Sequence, residues 1–554
     1  MPKQIKIGLA QINQTVGDIS GNIAQILSWL KNAKNKNVDL LVFPELTITS
    51  YPPEDLLMRD YFVEKNEQAL EEISKKIDGN IAVIIGFIKK DDKNLYNCAA
   101  LIKNSQVQEV VSKTLLPNYD VFNEKRYFTA SEKVFPVEIE LGGENINLGL
   151  QICEDIWNDP AQISVTKKLV DQSADLIVNL SASPYDYNKH DQRRELLKTK
   201  ASQYSVPIAL CNLVGAQDDL IFDGQSLIYD NQGELVNYGK SFEEDLITAK
   251  IDLKQGNSAE YISLNRSSRD KEIFEALVLG VKDYFKKSGF AKAVLGLSGG
   301  IDSALTACIA KEALGKENVI GITMPTQYTE GISITDAGKL TENLGIEFRI
   351  KVIKEIYKNY LNKMGHNFET EEPGIAEENL QSRIRGDILM SIANKEDALT
   401  LNTGNKTELA LGYCTLYGDM CGSIAVLSDL SKHLVYDLAE YYNQLKNSEV
   451  IPRRSIEREP TAELKFDQED PFDYDIVGPL VDEIIVEGKG YKELIEEGYE
   501  KPLVIEILEK IRKTEYKRSQ AAVGLKITGK AFGRGRRYPI INQFQEYLER
   551  EEEL

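Results

Sequence analysis

The stretch from residue 293 to residue 303 constrains the fold of this chain more than any other. An apolar run at 293–297 leads directly into Ser-Gly-Gly-Ile-Asp-Ser at 298–303, where a helical pattern begins. Paired glycines let the backbone approach a ligand, and the start of a helix presents unpaired N–H groups to anionic oxygens. The order of strand, glycine loop and helix predicts a phosphate-binding loop; the alternative is an ordinary strand-to-helix turn with a capping serine.

The same residues exclude two common nucleotide-binding loops. No lysine follows the glycines, so the phosphate loop GxxxxGK[ST] is absent. The dinucleotide fingerprint GxGxxG is absent as well. The loop therefore predicts a different class of phosphate-binding domain.

Helical and strand patterns alternate regularly after residue 270. The predicted elements are a helix over 271–287, a strand over 293–297, a helix over 303–313, a strand over 319–323, a helix over 334–344 and a strand over 348–353. This alternation predicts an α/β domain with a doubly wound parallel sheet. The segment 457–479 is rich in acidic residues and proline, which predicts a loop.

The first 250 residues show a second α/β pattern. Strands are predicted over 5–12, 40–43, 81–87, 146–152, 176–180 and 208–213, helices over 23–33 and 68–77, and hairpin turns at 142–143 and 231–233. Hairpins imply antiparallel pairing, so this half is predicted to be a layered α/β domain with a mixed sheet. The pattern lapses near 254–270, which predicts domains over 1–255 and 271–554 joined by a linker over 256–270.

Composition excludes several classes of protein. The net charge is -21, from 66 Lys and Arg against 87 Asp and Glu, which argues against a general nucleic-acid-binding surface. Six cysteines in 554 residues are too few for a disulfide framework, and three histidines make a histidine-rich metal centre improbable. No run of eighteen apolar residues occurs, so a cytoplasmic protein without a membrane segment is predicted.

One segment, 510–537, is basic within this acidic chain. A basic tail can bind nucleic acid, and that alternative stays open. We favour the interpretation that the segment helps to cover anionic ligands when a site closes.

Together, the glycine loop and several later segments resemble one family of ATP pyrophosphatases, the NAD synthetases. The later segments are ENLQSRIR at 378–385, NTGNKTE at 402–408, SKHLVYDLA at 431–439 and PTAEL at 460–464. The resemblance covers most of 270–554. It implies a Rossmann-like domain that uses ATP to adenylylate the nicotinate carboxylate of deamido-NAD, after which ammonia displaces AMP.

The resemblance also implies roles for individual residues. The residues expected to bind ATP are Gly296, Leu297, Ser298, Gly299, Gly300, Ile301, Asp302, Ser303, Thr403, Lys432 and Thr461. Those expected to bind deamido-NAD are Asn379, Arg383, Glu408 and Lys517, and those expected to bind Mg²⁺ are Asp302 and Glu408. Hard oxygen ligands suit Mg²⁺, which commonly bridges substrate phosphates. Taken alone, Lys432 could be a solvated lysine and Glu408 a surface carboxylate.

A cysteine at the end of a predicted strand is the candidate nucleophile of the N-terminal half. Cys153 follows the strand at 146–152, and taken by itself it is better interpreted as an ordinary buried cysteine. Glu45 lies just beyond another strand, and Lys113 precedes a turn that contains proline. A carboxylate can take the thiol proton, while an ammonium group lowers the thiol pKa and stabilises an oxyanion. Such a set needs no histidine.

Glu, Lys and Cys in this order resemble the nitrilase superfamily over nearly all of 1–255, which implies an αββα layered domain. By that resemblance Cys153 is the nucleophile, Glu45 the general base and Lys113 the stabiliser of the intermediate, with Glu124 as an auxiliary carboxylate. Residues expected to bind glutamine are Tyr119, Ser183 and Lys189. Ser181 stands where the superfamily often has Asn, which leaves the backbone details of this segment open.

A thiol amidase fused to an ATP pyrophosphatase resembles the glutamine-dependent NAD synthetases over nearly the whole chain. The implied enzyme is a C–N ligase in which glutamine hydrolysis supplies ammonia, and it is expected to form a homo-oligomer. Alternatives are other glutamine-fed ATP pyrophosphatases, such as GMP synthetase or asparagine synthetase, and a nucleotide-binding scaffold without catalysis. Asparagine synthetase requires cysteine at the mature N-terminus, where this chain has Pro2. GMP synthetase has a Cys-His-Glu glutaminase, which these histidines do not supply.

Overall fold

The computed structural model describes residues 4–157, 164–254, 262, 267–366 and 373–547. The chain divides into two compact units, Met1–Arg266 and Ser267–Leu554. Most of the predicted linker, 256–270, lies outside the described residues, so those boundaries stay a prediction. Within the described residues, no helix has both the length and the apolar character needed to span a bilayer.

The N-terminal unit contains two six-stranded sheets and a separate two-stranded hairpin. Its strands are β1 (Gln4–Gln11), β2 (Leu40–Val42), β3 (Ala82–Asp91), β4 (Asn94–Lys103), β5 (Gln106–Ser112), β6 (Val137–Leu141), β7 (Glu144–Ile152), β8 (Leu176–Ser181), β9 (Ile208–Asn212), β10 (Val214–Gln217), β11 (Leu220–Asp223), β12 (Leu227–Tyr229), β13 (Leu235–Tyr238) and β14 (Asp245–Asp252). Its helices are α1 (Ile19–Asn35), α2 (Asp60–Ser74), α3 (Val165–Asp171) and α4 (Lys189–Tyr204), with 3₁₀ turns at Glu54–Met58, Glu124–Arg126 and Cys153–Ile156.

The strand order is β14-β1-β2-β3-β4-β5 in one sheet and β13-β12-β9-β8-β7-β6 in the other. Both sheets mix parallel and antiparallel pairs, and the two predicted hairpins are β6–β7 and β12–β13 of the second sheet. The turn between β6 and β7 uses Gly142 and Gly143, whose φ values of 57° and 82° favour glycine. The predicted mixed sheet is therefore present twice.

Alternation of apolar side chains along the strands builds the layers. On β3, Ala82 and Ile84 pack into the cluster between the two sheets, whereas Val83 and Ile85 pack with α1 and α2 on the outer face. The second sheet is covered by α3 and α4 in the same way. The predicted αββα arrangement is confirmed, because each sheet is apolar on both faces and needs a helical layer outside.

The C-terminal unit is built around one six-stranded sheet. Its strands are β15 (Lys292–Gly296), β16 (Val319–Thr323), β17 (Glu347–Ile350), β18 (Ala398–Asn402), β19 (Ile424–Ala425) and β20 (Val523–Gly524). Its helices are α5 (Arg269–Ser288), α6 (Ile301–Leu314), α7 (Gly331–Leu344), α8 (Lys354–Met364), α9 (Ile375–Glu396), α10 (Lys406–Leu411), α11 (Lys432–Lys446), α12 (Arg453–Glu457), α13 (Tyr474–Ile485), α14 (Tyr491–Glu496), α15 (Lys501–Lys513) and α16 (Glu515–Arg518), with a 3₁₀ turn at Lys316–Asn318.

The strand order β17-β16-β15-β18-β19-β20 confirms the predicted doubly wound sheet, since every neighbouring pair is parallel. The order reverses between β15 and β18. Ligands of such sheets bind outside the carboxyl ends of the strands at this reversal. The predicted phosphate-binding loop, which follows β15, lies there.

Part of the predicted loop at 457–479 is wrong, because α13 begins at Tyr474. The Asp473 side chain accepts a hydrogen bond from the backbone N–H of Asp475 at the helix start, and Pro479 lies inside the helix. Val477 and Leu480 are buried in the cluster with α10 and α15. Burial of this apolar face outweighs the hydrogen bond that the proline removes.

Candidate active sites

The N-terminal unit brings the three predicted catalytic residues to the carboxyl ends of strands in two facing sheets. Glu45 follows β2, Lys113 follows β5, and Cys153 follows β7. Lys113 Nζ lies 2.7 Å from Glu45 Oε1, and both side chains are fully buried. The strand ends therefore hold an ion pair inside the unit, although the three residues are far apart in the sequence.

Cys153 occupies a tight turn in an apolar setting. Its φ of 43° is left-handed, which is uncommon for a residue with a side chain, and only 3% of it is exposed. Burial, followed by the charge of Glu45, raises the pKa of the Cys153 thiol well above its ordinary value, and Lys113 opposes this. The resting thiol is protonated, so its use as a nucleophile requires a base beside it.

Glu124 lies on the other side of the lysine. Lys113 Nζ is 2.8 Å from Glu124 Oε1, and the Tyr51 hydroxyl donates to the same oxygen at 3.0 Å. Burial raises the pKa of Glu124 to about 7, although Lys113 lowers it. One ammonium group thus balances two buried carboxylates.

Two of the three predicted glutamine-binding residues contact the segment that follows Cys153. The Tyr119 hydroxyl donates to Glu154 Oε2 at 3.0 Å, and Lys189 Nζ lies 4.4 Å from the centre of the Trp157 ring. Ser183 is buried after β8, where its backbone N–H donates to Asn212 Oδ1 at 3.0 Å.

Two further residues belong to this site, and neither was predicted from the sequence. Asn97 Nδ2 donates to Glu45 Oε1 at 2.7 Å. Asp155 accepts hydrogen bonds from the backbone N–H groups of Thr114, Leu115 and Ile152, and so joins the turn at Lys113 to the turn at Cys153. Asp155 could have been found from its position two residues after the cysteine, whereas nothing in the sequence marks Asn97.

In the C-terminal unit, the phosphate-binding loop borders a cavity of about 590 Å³. The backbone N–H and the hydroxyl of Ser298 both contact the Ser303 hydroxyl, and the N–H of Gly300 donates to Ser298 Oγ at 3.1 Å. Gly299 has a φ of 87° and lies against Ser333, where a side chain would not fit. Hydroxyl bonds and close packing fix the loop at the start of α6.

Two acidic side chains face this cavity together. Asn405 joins them, because its Nδ2 donates to Asp302 Oδ1 at 3.0 Å and its backbone N–H donates to Glu408 Oε2 at 3.2 Å. Lys432 forms an ion pair with Asp302. Burial, followed by the charge of Asp302, raises the pKa of Glu408 to about 8. One ammonium group thus faces two carboxylates, and the second of them holds its proton tightly.

These two carboxylates fit a magnesium ion held partly by a substrate. No group of three or more His, Cys, Asp or Glu side chains that could hold a metal occurs within the described residues. Mg²⁺ commonly binds one or two protein carboxylates and completes its shell with water and phosphate oxygens. The raised pKa of Glu408 is the property expected of a carboxylate that awaits a cation.

Most of the other residues predicted for this site line the same cavity: all of 296–303, Asn379, Thr403, Glu408, Lys432, Thr461 and Lys517. Arg383 does not line it, and its Nε donates to the carbonyl oxygen of Leu416. Arg385, which was not predicted, does line it. Lys517 Nζ donates to the carbonyl oxygens of Gly412 and Cys414, both at 2.7 Å.

Both halves of the chain match known protein families. Residues 6–261 match the carbon-nitrogen hydrolases, and residues 273–521 match the NAD synthases. The glutamine-dependent NAD(+) synthetase of Thermotoga maritima is 43% identical over 99% of this chain and 100% of its own. That of Synechocystis is 42% identical over 97% of this chain and 99% of its own.

Solved structures agree over the same length. The glutamine-dependent NAD+ synthetase of Acinetobacter baumannii, in complex with adenosine diphosphate, matches with a TM-score of 0.76 and 39% identity, covering 98% of this chain and 99% of that one. The enzyme of Cytophaga hutchinsonii has a TM-score of 0.84 at 24% identity and covers 98% of both chains, which supports the fold.

Proposed function

The chain belongs to the glutamine-dependent NAD(+) synthetases, and from this premise we propose how its two sites divide the reaction. It is a ligase that forms a C–N bond with glutamine as the amide donor. The N-terminal unit hydrolyses glutamine, and the ammonia amidates adenylylated deamido-NAD to give NAD, AMP and pyrophosphate. The observation that carries the division is the buried Glu45–Lys113 pair beside Cys153 in one unit, with the phosphate-binding loop in the other.

In the glutaminase unit, the Cys153 sulfur attacks the carboxamide carbon of glutamine. Glu45 accepts the thiol proton and then gives it to the departing ammonia, and Lys113 stabilises the negatively charged oxygen of the intermediate. Water activated by Glu45 hydrolyses the thioester and releases glutamate. Support comes from the buried thiol, whose raised pKa requires a base.

Substrate binding in this unit is assigned to side chains around the turn that begins at Cys153. Tyr119, Ser183 and Lys189 are proposed to bind glutamine. The ammonium group of Lys189, which lies 4.4 Å from the centre of the Trp157 ring, suits the α-carboxylate of the amino acid. Glu124 is proposed to fix Lys113 through its 2.8 Å contact.

In the synthetase unit, the backbone of residues 296–303 is proposed to hold the phosphates of ATP, together with Thr403, Lys432 and Thr461. The nicotinate carboxylate attacks the α-phosphorus, pyrophosphate leaves, and ammonia then displaces AMP. Residues proposed to bind deamido-NAD are Asn379, Arg383, Glu408 and Lys517. Catalysis here consists of positioning and charge neutralisation, which suits a cavity of about 590 Å³ with a glycine loop at its edge.

Mg²⁺ is proposed as the cofactor, with Asp302 and Glu408 as its protein ligands. When bound, the ion would neutralise phosphate charge that develops as pyrophosphate departs. Asn405 holds both carboxylates, and Lys432 balances Asp302.

The proposed setting is the cytoplasm, where the protein forms a homo-oligomer and acts on small molecules without nucleic acid. ATP, glutamine and deamido-NAD are its proposed substrates.

The function is tested by product analysis. The purified protein is incubated with ATP, Mg²⁺ and deamido-NAD, and either glutamine or ammonium, and the nucleotides are separated by chromatography. We expect NAD, AMP and pyrophosphate in equal amounts with either nitrogen source. If deamido-NAD is inert while another carboxylate consumes ATP, the substrate assignment is wrong.

A further inference from the structure

Asn97 is a polar residue on an otherwise apolar stretch of β4. It is 1% exposed, and its neighbours two and four residues on, Ala99 and Leu101, pack into the cluster between the two sheets. An amide in such surroundings is costly unless it is hydrogen-bonded. The hydrogen bonds of Asn97 therefore decide whether the residue is tolerated at this position.

Asn97 contacts two of the three proposed catalytic residues of the glutaminase site. Its side-chain Nδ2 donates to Glu45 Oε1 at 2.7 Å, and its backbone carbonyl accepts from the N–H of Lys113 at 2.8 Å. One residue of β4 thus sets the side chain of the general base and the backbone of the stabilising lysine.

The carboxylate of Glu45 is held at both oxygens. Oε1 accepts from Lys113 Nζ and Asn97 Nδ2, and Oε2 accepts from the backbone N–H of Ala182 at 3.1 Å. Without Asn97, Oε1 would be held by the lysine alone. A neutral donor fixes the carboxylate without adding a second cation that would compete for its charge.

Most of the titratable groups near Glu45 are acids, which become negatively charged when they lose their proton. The titratable groups that act on this site are Lys113, Glu124, Cys153, Glu154 and the hydroxyl of Tyr51. The lysine is shared between Glu45 and Glu124. The neutral amide of Asn97 therefore gives Glu45 a hydrogen bond of its own, in addition to the lysine that it shares with Glu124.

We propose that Asn97 is a positioning residue of the glutaminase site, which holds the carboxylate of Glu45 in the orientation that takes the proton of Cys153. The inference rests on the proposed glutaminase function. Asn97 does not touch the reacting atoms itself, and it acts through Glu45 and Lys113.

The test variant is Asn97→Leu, which keeps the γ-branched shape of the side chain and removes the donor, with Asn97→Ala as a second variant that adds no apolar bulk. Glutamine hydrolysis is measured as glutamate release between pH 5 and 9. We expect kcat to fall roughly tenfold or more while KM changes little, because substrate contacts are intact. A merely structural role would lower the yield of folded protein without this split between kcat and KM.

Asn66 offers a matched control. It is a fully buried asparagine whose side chain bonds the backbone N–H and carbonyl of Ile88, the residue paired with Asn97 across β3 and β4. Asn66→Leu disturbs the same region without touching Glu45, so it should leave the kcat and KM of the folded protein unchanged.

Three results would overturn the inference. They are an unchanged kcat in Asn97→Leu or Asn97→Ala, a rise in KM as large as the fall in kcat, and an equal fall in kcat in Asn66→Leu. A wild-type protein that releases no glutamate from glutamine would instead refute the proposed function, which separates the two failures.

Discussion

A carboxylate placed beside a second carboxylate in a partly buried cavity holds its proton more tightly than one in water. Glu408 is in this position next to Asp302, and burial followed by the charge of Asp302 raises its pKa from 4.5 to about 8. The folded chain therefore binds more protons than the unfolded chain between these two values. The contribution of this group to stability is highest below pH 4.5 and falls as the pH rises towards 8.

We predict that Glu408→Gln makes the metal-free protein more stable at alkaline pH. In EDTA without nucleotide, its free energy of unfolding should exceed that of the wild type by roughly 1–3 kcal/mol at pH 8, and the gain should shrink towards zero at pH 5. The glutamine keeps the capping hydrogen bond to the backbone of Asn405. Urea denaturation at both pH values measures the difference.

The control for this prediction is Glu496→Gln, an exposed residue on α14 that should show no gain at pH 8. NAD formation should be lost in Glu408→Gln, because the carboxylate whose charge destabilises the metal-free protein is also the proposed magnesium ligand. A variant less stable than the wild type at pH 8 would show that the carboxylate is already satisfied without a metal.

At the scale of elements, the loop between β15 and α6 has little room to vary. Gly299 combines a left-handed φ of 87° with close packing: a Cβ there would lie 2.8 Å from Ser333 Cα and closer still to its carbonyl oxygen. The Ser455 hydroxyl also donates to the carbonyl of Gly299 at 2.9 Å. Only glycine meets both requirements at this position.

We predict that Gly299→Ala weakens ATP binding at least tenfold, by roughly 1.4 kcal/mol or more, because the loop must move away from Ser333. Isothermal titration with ATP and Mg²⁺ measures the affinity, and NAD formation with ammonium should fall with it. Gly289→Ala is the control, since Gly289 has a similar φ of 84° with nothing within 4 Å of the added methyl group. Equal ATP binding in both variants would mean that contact with Ser333 does not shape the loop.

Among the elements of the C-terminal site, some could be predicted from the sequence and others could not. Strand and helix periodicity located β15, α6 and the loop between them, because an unbroken apolar run and a glycine pair are strong local signals. A match to a sequence motif does not show which side chains of a helix face the cavity. Along α9, the cavity-lining residues Asn379, Ser382 and Arg385 follow helical spacing, and Arg383 lies on a different face. Its assignment to deamido-NAD stays a prediction.

Contacts between distant strands were beyond sequence reasoning. Asn97, on β4, bonds Glu45 across 52 positions, and nothing in the local pattern marks that residue. The helix α13 was missed for a related reason: its proline suggests a loop, and only burial against α10 and α15 explains why a helix forms.

On the scale of the whole molecule, two units of similar size each carry one proposed reaction site. The thiol site lies within Met1–Arg266, and the nucleotide cavity is lined by residues of Ser267–Leu554. Ammonia is the proposed product of the first and substrate of the second. Free ammonium in solution can replace glutamine only if the second site works without the thiol.

Cys153→Ala tests this central claim most directly, with Cys98→Ala as a buried cysteine of the same unit outside the proposed site. Initial rates of NAD formation are measured with glutamine and with ammonium for both variants and the wild type. The account predicts that Cys153→Ala loses the glutamine-fed rate by roughly a thousandfold or more and keeps the ammonium-fed rate within about twofold. Cys98→Ala should keep both. An equal loss of both rates in a folded Cys153→Ala protein, or a glutamine-fed rate that survives, would contradict it.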